Sequence, residues 1–206
     1  MSDYKLTYFD FNGGRGEPIR IAFHAAGIEL EDNRISFPEF SEMRRSARFN
    51  SVPVLYIDGA EVTQSNAISR YVGKLAGLYP EGSLQALYCD EVLGAVEDLN
   101  HYVVRTFGLK GEELQKAREQ LADGWLSTYL KGFDKLLTRG GGEFFADGQL
   151  TIADLKVFVQ VSSVTSGNLE HIPADLVQRL TPSLMEHQQR VKNHPTVAAY
   201  YNSRSS

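Results

Sequence analysis

The chain has 206 residues, enough for one large domain or two small ones, and 42% of its residues are hydrophobic. Its formal net charge is −5 and it has no basic run, which argues against nucleic acid or an anionic membrane as a partner. Cys89 is the single cysteine, so the chain has no internal disulfide, and no stretch approaches the ~20 apolar residues of a membrane span. The start "MSDYKLTYF" does not read as a secretory signal. We therefore expect a cytoplasmic protein that binds small molecules or another protein.

The first 78 residues predict a small α/β domain with the element order β-α-β-α-β-β-α. "YKLTYF" is typical of a strand, Pro18 suits a first helical turn, and Ile19, Ala22, Phe23 and Ala26 repeat at helical spacing that Gly27 can end. A second strand is expected over 30–35 and a short helix over 38–45. "VPVLYID" and "AEVTQ" are strands joined by the Asp58-Gly59 turn, and Ser65 is the expected cap of a helix over 66–75.

The remainder of the chain predicts only helices. The turn-rich stretch 77–83 is the expected linker, after which apolar residues mark a long helix over 84–103 and a second over 112–137. "LTIADL" has Thr151 as a cap with Asp154 answering it three residues later. Further helices are expected over 174–179, 182–192 and 195–201. The predicted organisation is an α/β domain at 1–78 and an all-helical domain at 84–206.

The stretch "LTYFDFNGGRGEPIR" places Tyr8 at the end of a strand, ahead of a glycine-rich loop and a helix start. Ligands of α/β proteins often bind beyond the carboxyl ends of strands. Taken alone, Tyr8 is more simply explained as a packing residue and Arg15 as a solvated loop residue. Asp98, on the first long helix, likewise has the simple interpretation of an acid on a solvated face.

Two further stretches have both an ordinary and a functional interpretation. In "SVPVL", Pro53 either begins an edge strand in the trans form or forms a cis bond that turns the Val52 backbone toward a peptide ligand. In "TQSNAISRY", Gln64 and Ser65 precede a helix whose amino end suits a carboxylate, although an ordinary serine cap explains the same residues.

Taken in order, these motifs and "LTIADL" resemble the cytosolic glutathione transferases over nearly the whole chain, with the sigma class most similar. That class includes glutathione-dependent prostaglandin D synthases and S-crystallins. The resemblance implies a thioredoxin-like first domain, an all-helical second domain, a homodimer, and glutathione as a co-substrate without a tightly bound cofactor or metal. The implied activity is detoxifying transfer of glutathione to small hydrophobic electrophiles.

The resemblance also implies a role for particular residues. Tyr8 would donate a hydrogen bond to the glutathione sulfur, and Arg15 would support the charge around it. Glutathione itself would be bound by a set of residues from both domains, with Asp98 reaching the ligand of the partner subunit: Phe40, Arg44, Val52, Pro53, Gln64, Ser65 and Asp98. The electrophile pocket would be lined by residues of the loop and the long helix: Phe11, Asn12, Tyr102 and Arg105.

Three departures from the sigma pattern concern the glutathione site. One extra residue lies between Tyr8 and Arg15, where Gly13 and Gly14 can absorb it. Phe40 stands where relatives have a tryptophan and has no N–H to donate, and Ser51 replaces a longer polar residue, which leaves the glycine carboxylate to Arg44.

Two alternatives to the transferase remain open. A glutathione-dependent prostaglandin D isomerase would use the same thiolate and regenerate it. A structural protein or ligand carrier would keep the glutathione site without turnover.

Overall fold

The computed structural model describes residues 2–204, which contain four strands and ten α-helices. The chain forms two compact units. The first comprises the chain up to Tyr79 and the segment from Pro195 onwards, and the second runs from Pro80 to His194. The assignment of residues 1–78 and 84–206 to two functional domains stays a prediction.

The first unit is built on a mixed sheet with the strand order β2-β1-β3-β4. β1 pairs in parallel with β2 and antiparallel with β3, and β3 forms a hairpin with β4. The thioredoxin-like order predicted from the sequence is therefore confirmed. The elements of this part are β1 (Tyr4–Phe9), α1 (Glu17–Ala26), β2 (Glu31–Ile35), α2 (Phe37–Met43), β3 (Val54–Ile57), β4 (Ala60–Val62) and α3 (Ser65–Leu75).

The second unit is entirely helical, as predicted. Its elements are α4 (Ser83–Val104), α5 (Gly111–Leu121), a π-helical turn (Ala122–Leu126), α6 (Ser127–Arg139), α7 (Ile152–Thr165), α8 (Leu176–Leu180) and α9 (Pro182–Asn193). One more helix, α10 (Pro195–Ser203), follows and belongs to the first unit. α7 is buried on all sides and packs against α4, α8 and α9, as expected for a helix that is apolar all round. α10 instead packs against α1 in the first unit, which the helical periodicity of the sequence does not reveal.

One predicted helix is wrong. The expected continuous helix over 112–137 is broken at Gly124, whose backbone angles of φ −102° and ψ −108° are not helical. The amphipathic pattern continues through the break because α5 and α6 both turn an apolar side inward. Periodicity records which side is buried, so it does not detect a single residue at which the axis changes.

The start of α7 confirms the predicted cap. Thr151 and Asp154 form a reciprocal capping box, in which the Thr151 N–H donates to Asp154 Oδ2 at 2.8 Å. Both side chains are almost fully buried, with exposed fractions of 1% and 0%.

Candidate active site

The sheet topology brings the sequence motifs of the first unit to one edge. β1 and β2 run in parallel, so both end there, and antiparallel β3 begins there. β4 reverses direction again and ends at the same edge. The four motifs that flank these strand ends, around Tyr8, Phe40, Pro53 and Gln64, are thereby gathered from positions more than fifty residues apart in sequence.

Tyr8 lies at this edge with an exposed fraction of only 4%. The backbone N–H of Arg15 donates a hydrogen bond to the Tyr8 hydroxyl oxygen at 3.0 Å. An N–H that donates to a phenol oxygen polarises the O–H bond, so the hydroxyl becomes a stronger donor in its turn. Arg15 therefore contributes to this site through its main chain.

The glycines between Tyr8 and α1 are required by close contact with the tyrosine ring. A Cβ atom at Gly14 would lie 2.5 Å from the Tyr8 hydroxyl oxygen, and the φ of Gly14 is +58°. A Cβ atom at Gly16 would lie 2.8 Å from Cγ of the same ring. No side chain fits at either position, so the loop can fold tightly around the phenol only with glycine at these two positions.

The Val52–Pro53 peptide bond is cis, so the interpretation of Pro53 as a trans residue at the start of a strand is wrong. Thr7 pairs with Val54 in the antiparallel ladder, which puts the Val52–Pro53 bend beside the Tyr8 end of β1. Val52 and Pro53 are both buried.

The predicted cap of α3 needs a correction. Ser65 is the first residue of the helix, and Gln64 occupies the cap position without a capping hydrogen bond from its side chain. Gln64 has φ 72° and ψ 104°, a conformation that residues with a side chain seldom adopt and that is concentrated at functional sites. The exposed Gln64 and the buried Ser65 thus stand together at the amino end of an 11-residue helix.

The remaining predicted residues of the first unit lie around the same edge. The Phe11 ring lies 5.8 Å from the Tyr8 ring and is 41% exposed. Arg34 donates to the Asn12 side-chain oxygen at 3.3 Å, which ties the loop to β2. Phe40 packs edge-on against Phe9 at 5.1 Å, and Arg44 is exposed at the end of α2.

Asp98 and Tyr102 belong to α4 in the second unit, and Arg105 directly follows that helix. Asp98 and Arg105 are exposed, and Tyr102 is half-buried against Trp125, with the two rings stacked 4.7 Å apart. The proximity of Asp98 and Tyr102, together with burial, raises the pKa of Tyr129 above its usual value, burial being the largest cause. The role of these residues toward glutathione or an electrophile stays a prediction.

Sequence reasoning missed Arg20, which contacts the Tyr8 loop from α1. Arg20 is 3% exposed and its guanidinium carbon lies 5.8 Å from the centroid of the Tyr8 ring. The available signal was an arginine between Ile19 and Ile21 in the most buried part of an apolar helix. A buried charge requires partners, so this position already indicated a polar network.

Other chemistries find no support in the part of the chain that is described. Among residues 2–204, no group of three or more His, Cys, Asp and Glu side chains is arranged to hold a metal ion. Cys89 is buried, and its burial raises the pKa of the thiol to about 12, which opposes a nucleophilic role. No helix in the described range has the length and apolar character to cross a membrane.

Comparison with known proteins agrees with this architecture. Residues 4–74 match the family model of the glutathione S-transferase N-terminal domain, and residues 97–204 match that of the glutathione S-transferase C-terminal domain. The two models together cover most of the chain. The chain belongs to the glutathione S-transferase family.

Individual relatives cover nearly the whole chain. Glutathione S-transferase 3 of Caenorhabditis elegans is 32% identical over 180 residues, which are 85% of this chain and 86% of that protein. The solved structure of prostaglandin synthase D of Nilaparvata lugens is 30% identical, covers 98% of each chain and has a TM-score of 0.85. A sigma class glutathione S-transferase of Fasciola hepatica is 25% identical, covers 100% of this chain and 98% of that one, and has a TM-score of 0.83.

Proposed function

We propose that the protein transfers glutathione to small hydrophobic electrophiles, with Tyr8 keeping the glutathione sulfur ionised. The observation that carries this proposal is the buried Tyr8 hydroxyl, which accepts the Arg15 N–H at 3.0 Å inside a loop whose glycines admit no side chain. In this proposal the hydroxyl that accepts the Arg15 N–H donates its own proton to the glutathione sulfur. Membership of the glutathione S-transferase family identifies glutathione as the co-substrate.

The chemistry follows from the acidity of a thiol. A free thiol with a pKa near 8.5 is only a few per cent ionised at pH 7, and the thiolate is the nucleophile. A hydrogen bond donated to the developing sulfur anion favours the ionised form. Lowering the thiol pKa by about two units requires ~2.7 kcal/mol, which a directed phenol and a nearby cation can supply. The thiolate then attacks the electrophilic carbon and the leaving group departs with its electron pair.

The remainder of glutathione would extend along the same sheet edge. The backbone of Val52, which lies just before β3 beside the Tyr8 end of β1, would pair with the cysteinyl part. Gln64 and Ser65 would bind the γ-glutamyl carboxylate at the positive end of α3. The exposed Arg44 would bind the glycine carboxylate, while Phe40 would offer only an apolar surface.

The residues that the family resemblance implies for the electrophile are Phe11 and Asn12 of the first unit, and Tyr102 and Arg105 of the second. The half-buried Tyr102, stacked on Trp125, supplies a flat aromatic surface that suits an apolar, planar substrate. These positions are a proposal for the class of substrate rather than for one compound.

We further propose a sigma-class homodimer that acts in the cytoplasm. The sigma class rests on the sequence motifs and on the likeness to the Fasciola hepatica enzyme. In such a dimer, exposed Asp98 would bind the γ-glutamyl amine of glutathione held by the partner subunit. The exposed Leu84 and Leu87 of α4 and Tyr71 and Leu75 of α3 offer apolar surface for subunit contact.

A second candidate function is the glutathione-dependent isomerisation of prostaglandin H to D. The observation in its favour is the 30% identity and TM-score of 0.85 to prostaglandin synthase D of Nilaparvata lugens. Turnover of prostaglandin H without net consumption of glutathione would favour it. Turnover of a chloronitroarene with stoichiometric loss of glutathione would favour the transferase, and binding of glutathione without either turnover would indicate a carrier or structural protein.

The decisive variant is Tyr8→Phe, measured by conjugation rate and by glutathione binding. We expect the rate to fall about a hundredfold because the thiol pKa rises, while the dissociation constant for glutathione stays within about threefold. Tyr4→Phe is the matched control, since Tyr4 lies on the same strand and its hydroxyl contacts that of Tyr71 at 3.1 Å. A Tyr8→Phe protein that turns over at the parent rate would remove the assigned role.

The partner-subunit contact is tested with Asp98→Ala. We expect weaker glutathione binding and an unchanged dimer in analytical ultracentrifugation. Glu112→Ala, which removes an exposed acid from the first turn of α5, is the control. An unchanged dissociation constant for glutathione in Asp98→Ala would contradict the contact.

A further inference from the structure

Arg20 binds the backbone of the Tyr8 loop at two points. Its Nη1 donates to the carbonyl oxygen of Phe11 at 3.1 Å, and its Nη2 donates to the carbonyl oxygen of Phe9 at 3.4 Å. These carbonyls stand one and three residues after Tyr8. A single planar guanidinium therefore fixes the direction in which the chain leaves β1.

The guanidinium is itself held from two sides. Its Nε donates to Asp32 of β2 at 2.9 Å, and its Nη1 also lies 3.4 Å from Glu17 of α1. Asp32 is opposite Leu6 in the parallel ladder, so this contact connects the guanidinium, and through it the loop, to the sheet that carries Tyr8. The planar fork of arginine can bind two carbonyls and two carboxylates together, whereas the compact ammonium of lysine cannot.

We propose that Arg20 is a positioning residue for the reaction, one that holds the Phe9–Phe11 backbone so that the Arg15 N–H stays at the Tyr8 hydroxyl. The hydrogen bonds of its guanidinium reach loop carbonyls and two carboxylates. It acts through the loop, since residues 9 to 16 connect the carbonyls that it binds to the N–H that Tyr8 accepts. The effect on turnover rests on the proposed transferase function, while the effect on the loop does not.

Helix α10 contacts Glu17, one of the two carboxylates that bind Arg20. The Tyr200 hydroxyl of α10 donates to Glu17 Oε1 at 3.2 Å, and Arg204 donates to the same hydroxyl. Burial, reinforced by the Glu17 carboxylate, raises the pKa of Tyr200 to about 12, so the hydroxyl keeps its proton at neutral pH. The Glu17 carboxylate thereby has Arg20 on one side and Tyr200 on the other.

A merely structural role for Arg20 is the competing explanation, because any buried cation that balances Glu17 and Asp32 stabilises the first unit. The two explanations differ in what they predict for a lysine at this position. Lysine keeps the positive charge and loses the double contact with the loop carbonyls. If the role is only structural, Arg20→Lys should lower the melting temperature and nothing else. If Arg20 is a positioning residue, kcat and the pH dependence of the rate of the folded enzyme should change as well.

The test is Arg20→Lys, with kcat, the KM for glutathione and the pH dependence of the rate at saturating glutathione. We expect kcat to fall about tenfold and KM to change less than about threefold, because the phenol and its N–H partner lose alignment. The apparent pKa of the bound thiol should rise by about half a unit to one unit, since a misaligned phenol stabilises the thiolate less.

Arg118→Lys is the matched control. Arg118 is also nearly buried, with 5% exposed, and donates to the Thr106 hydroxyl at 2.5 Å and to the Glu170 carbonyl at 3.4 Å in the second unit. It should lower the melting temperature without a shift in the pH profile. If Arg20→Lys shows the same pattern, with an unshifted profile and kcat within about twofold of the parent, the positioning role is overturned.

Amide hydrogen exchange gives a readout that does not depend on turnover. In Arg20→Lys the amides of residues 9–16 should exchange faster while those of β3 stay protected, and Tyr200→Phe should produce a smaller change in the same amides. Unchanged exchange in the loop would refute the proposal even if kcat fell. If the parent protein has no transferase activity but Arg20→Lys still shows faster exchange in the loop, the proposed function is refuted. The role of Arg20 in holding the loop then stands.

Discussion

Each compact unit contains a buried polar network, and the two networks end in different places. In the first unit, Glu17 and Asp32 bind the guanidinium of Arg20, and its remaining hydrogen bonds reach the backbone just after Tyr8. In the second unit, Asp154 and His187 are fully buried, and their bonds return to the loop and helix start beside them. Buried charges alone therefore do not indicate a functional site. The atoms at the end of the network decide what it does.

The Asp154 network is a structural junction. Its carboxylate accepts hydrogen bonds from the Phe145 N–H at 3.0 Å, the Thr151 N–H at 2.8 Å, the Thr151 hydroxyl at 2.6 Å and His187 at 2.9 Å. These partners come from the loop before α7, from the cap of α7 and from α9. One side chain thus joins three parts of the second unit.

The largest expected effect is on stability, from Asp154→Ala. Four buried donors would lose their acceptor, which should lower the free energy of unfolding by ~4 kcal/mol. Chemical denaturation measures this directly. The turnover of the fraction that remains folded should stay close to that of the parent, since the four hydrogen bonds lost join parts of the second unit.

Asp175→Ala is the control for that prediction. Asp175 pairs with Arg179 on the surface at 2.9 Å, with both side chains more than half exposed, so its loss should change stability by less than ~0.5 kcal/mol. Equal losses in the two variants, or an Asp154→Ala protein that is folded and stable but inactive, would contradict the division between the two networks.

Gly14→Ala should have the opposite profile, with the larger effect on turnover. The new methyl group would collide with the Tyr8 hydroxyl, and φ +58° is unfavourable for alanine, so the phenol must move. We expect the conjugation rate to fall about a hundredfold, the size that a displacement of ~1 Å produces in a catalytic geometry. The measurement is the initial rate with a chloronitroarene, alongside a thermal melt.

Gly132→Ala is the matched substitution in α6. A Cβ atom there meets no atom within 4 Å, and alanine favours a helix interior, so stability should rise by ~0.5 kcal/mol with no change in rate. A Gly14→Ala protein as active as Gly132→Ala would show that the loop does not constrain the phenol.

Gly124→Ala should have a smaller effect, confined to the break between α5 and α6. The backbone angles of Gly124 are unfavourable for a residue with a side chain, so stability should fall by ~1 kcal/mol or the break should straighten. Trp125, the single tryptophan of the chain, stacks on Tyr102 and reports either outcome by its fluorescence. Unchanged emission and stability would mean that the break does not depend on glycine.

The smallest effect concerns Cys89 and is visible only at high pH. Burial raises the pKa of the thiol from 9.0 to about 12, so the folded state keeps the proton more firmly than the unfolded state. The resulting stabilisation is complete below pH 9 and disappears as the pH rises toward 12. Cys89→Ala should therefore flatten the loss of stability over this interval relative to the parent, and an identical pH dependence would contradict the assignment.

The order of elements could be predicted because each carries a local signal. Aromatic and β-branched residues marked the first strand, Asp58-Gly59 marked the hairpin, and the Thr151–Asp154 pair marked the start of α7. The break at Gly124 and the place of α10 could not be predicted in this way. The break is a change of backbone angles at one residue, and α10 packs against α1, which is distant in sequence; hydrophobic periodicity records neither.

The candidate site divides in the same manner. Tyr8, Gln64 and Ser65 were recognisable from motifs, and the sheet topology then gathered them at one edge. The main-chain role of Arg15 and the double contact of Arg20 were not recognisable, because a one-letter sequence does not record which backbone groups are bound. The positive φ of Gln64 could not be predicted either, because glutamine has no preference for this backbone conformation.

Because α10 packs in the first unit, two segments that are far apart in the sequence form one compact unit. During synthesis the ribosome releases Glu17 long before Tyr200 exists to bind it. A stop codon just after His194, which leaves the whole second unit encoded, would therefore loosen the unit whose strands were translated first.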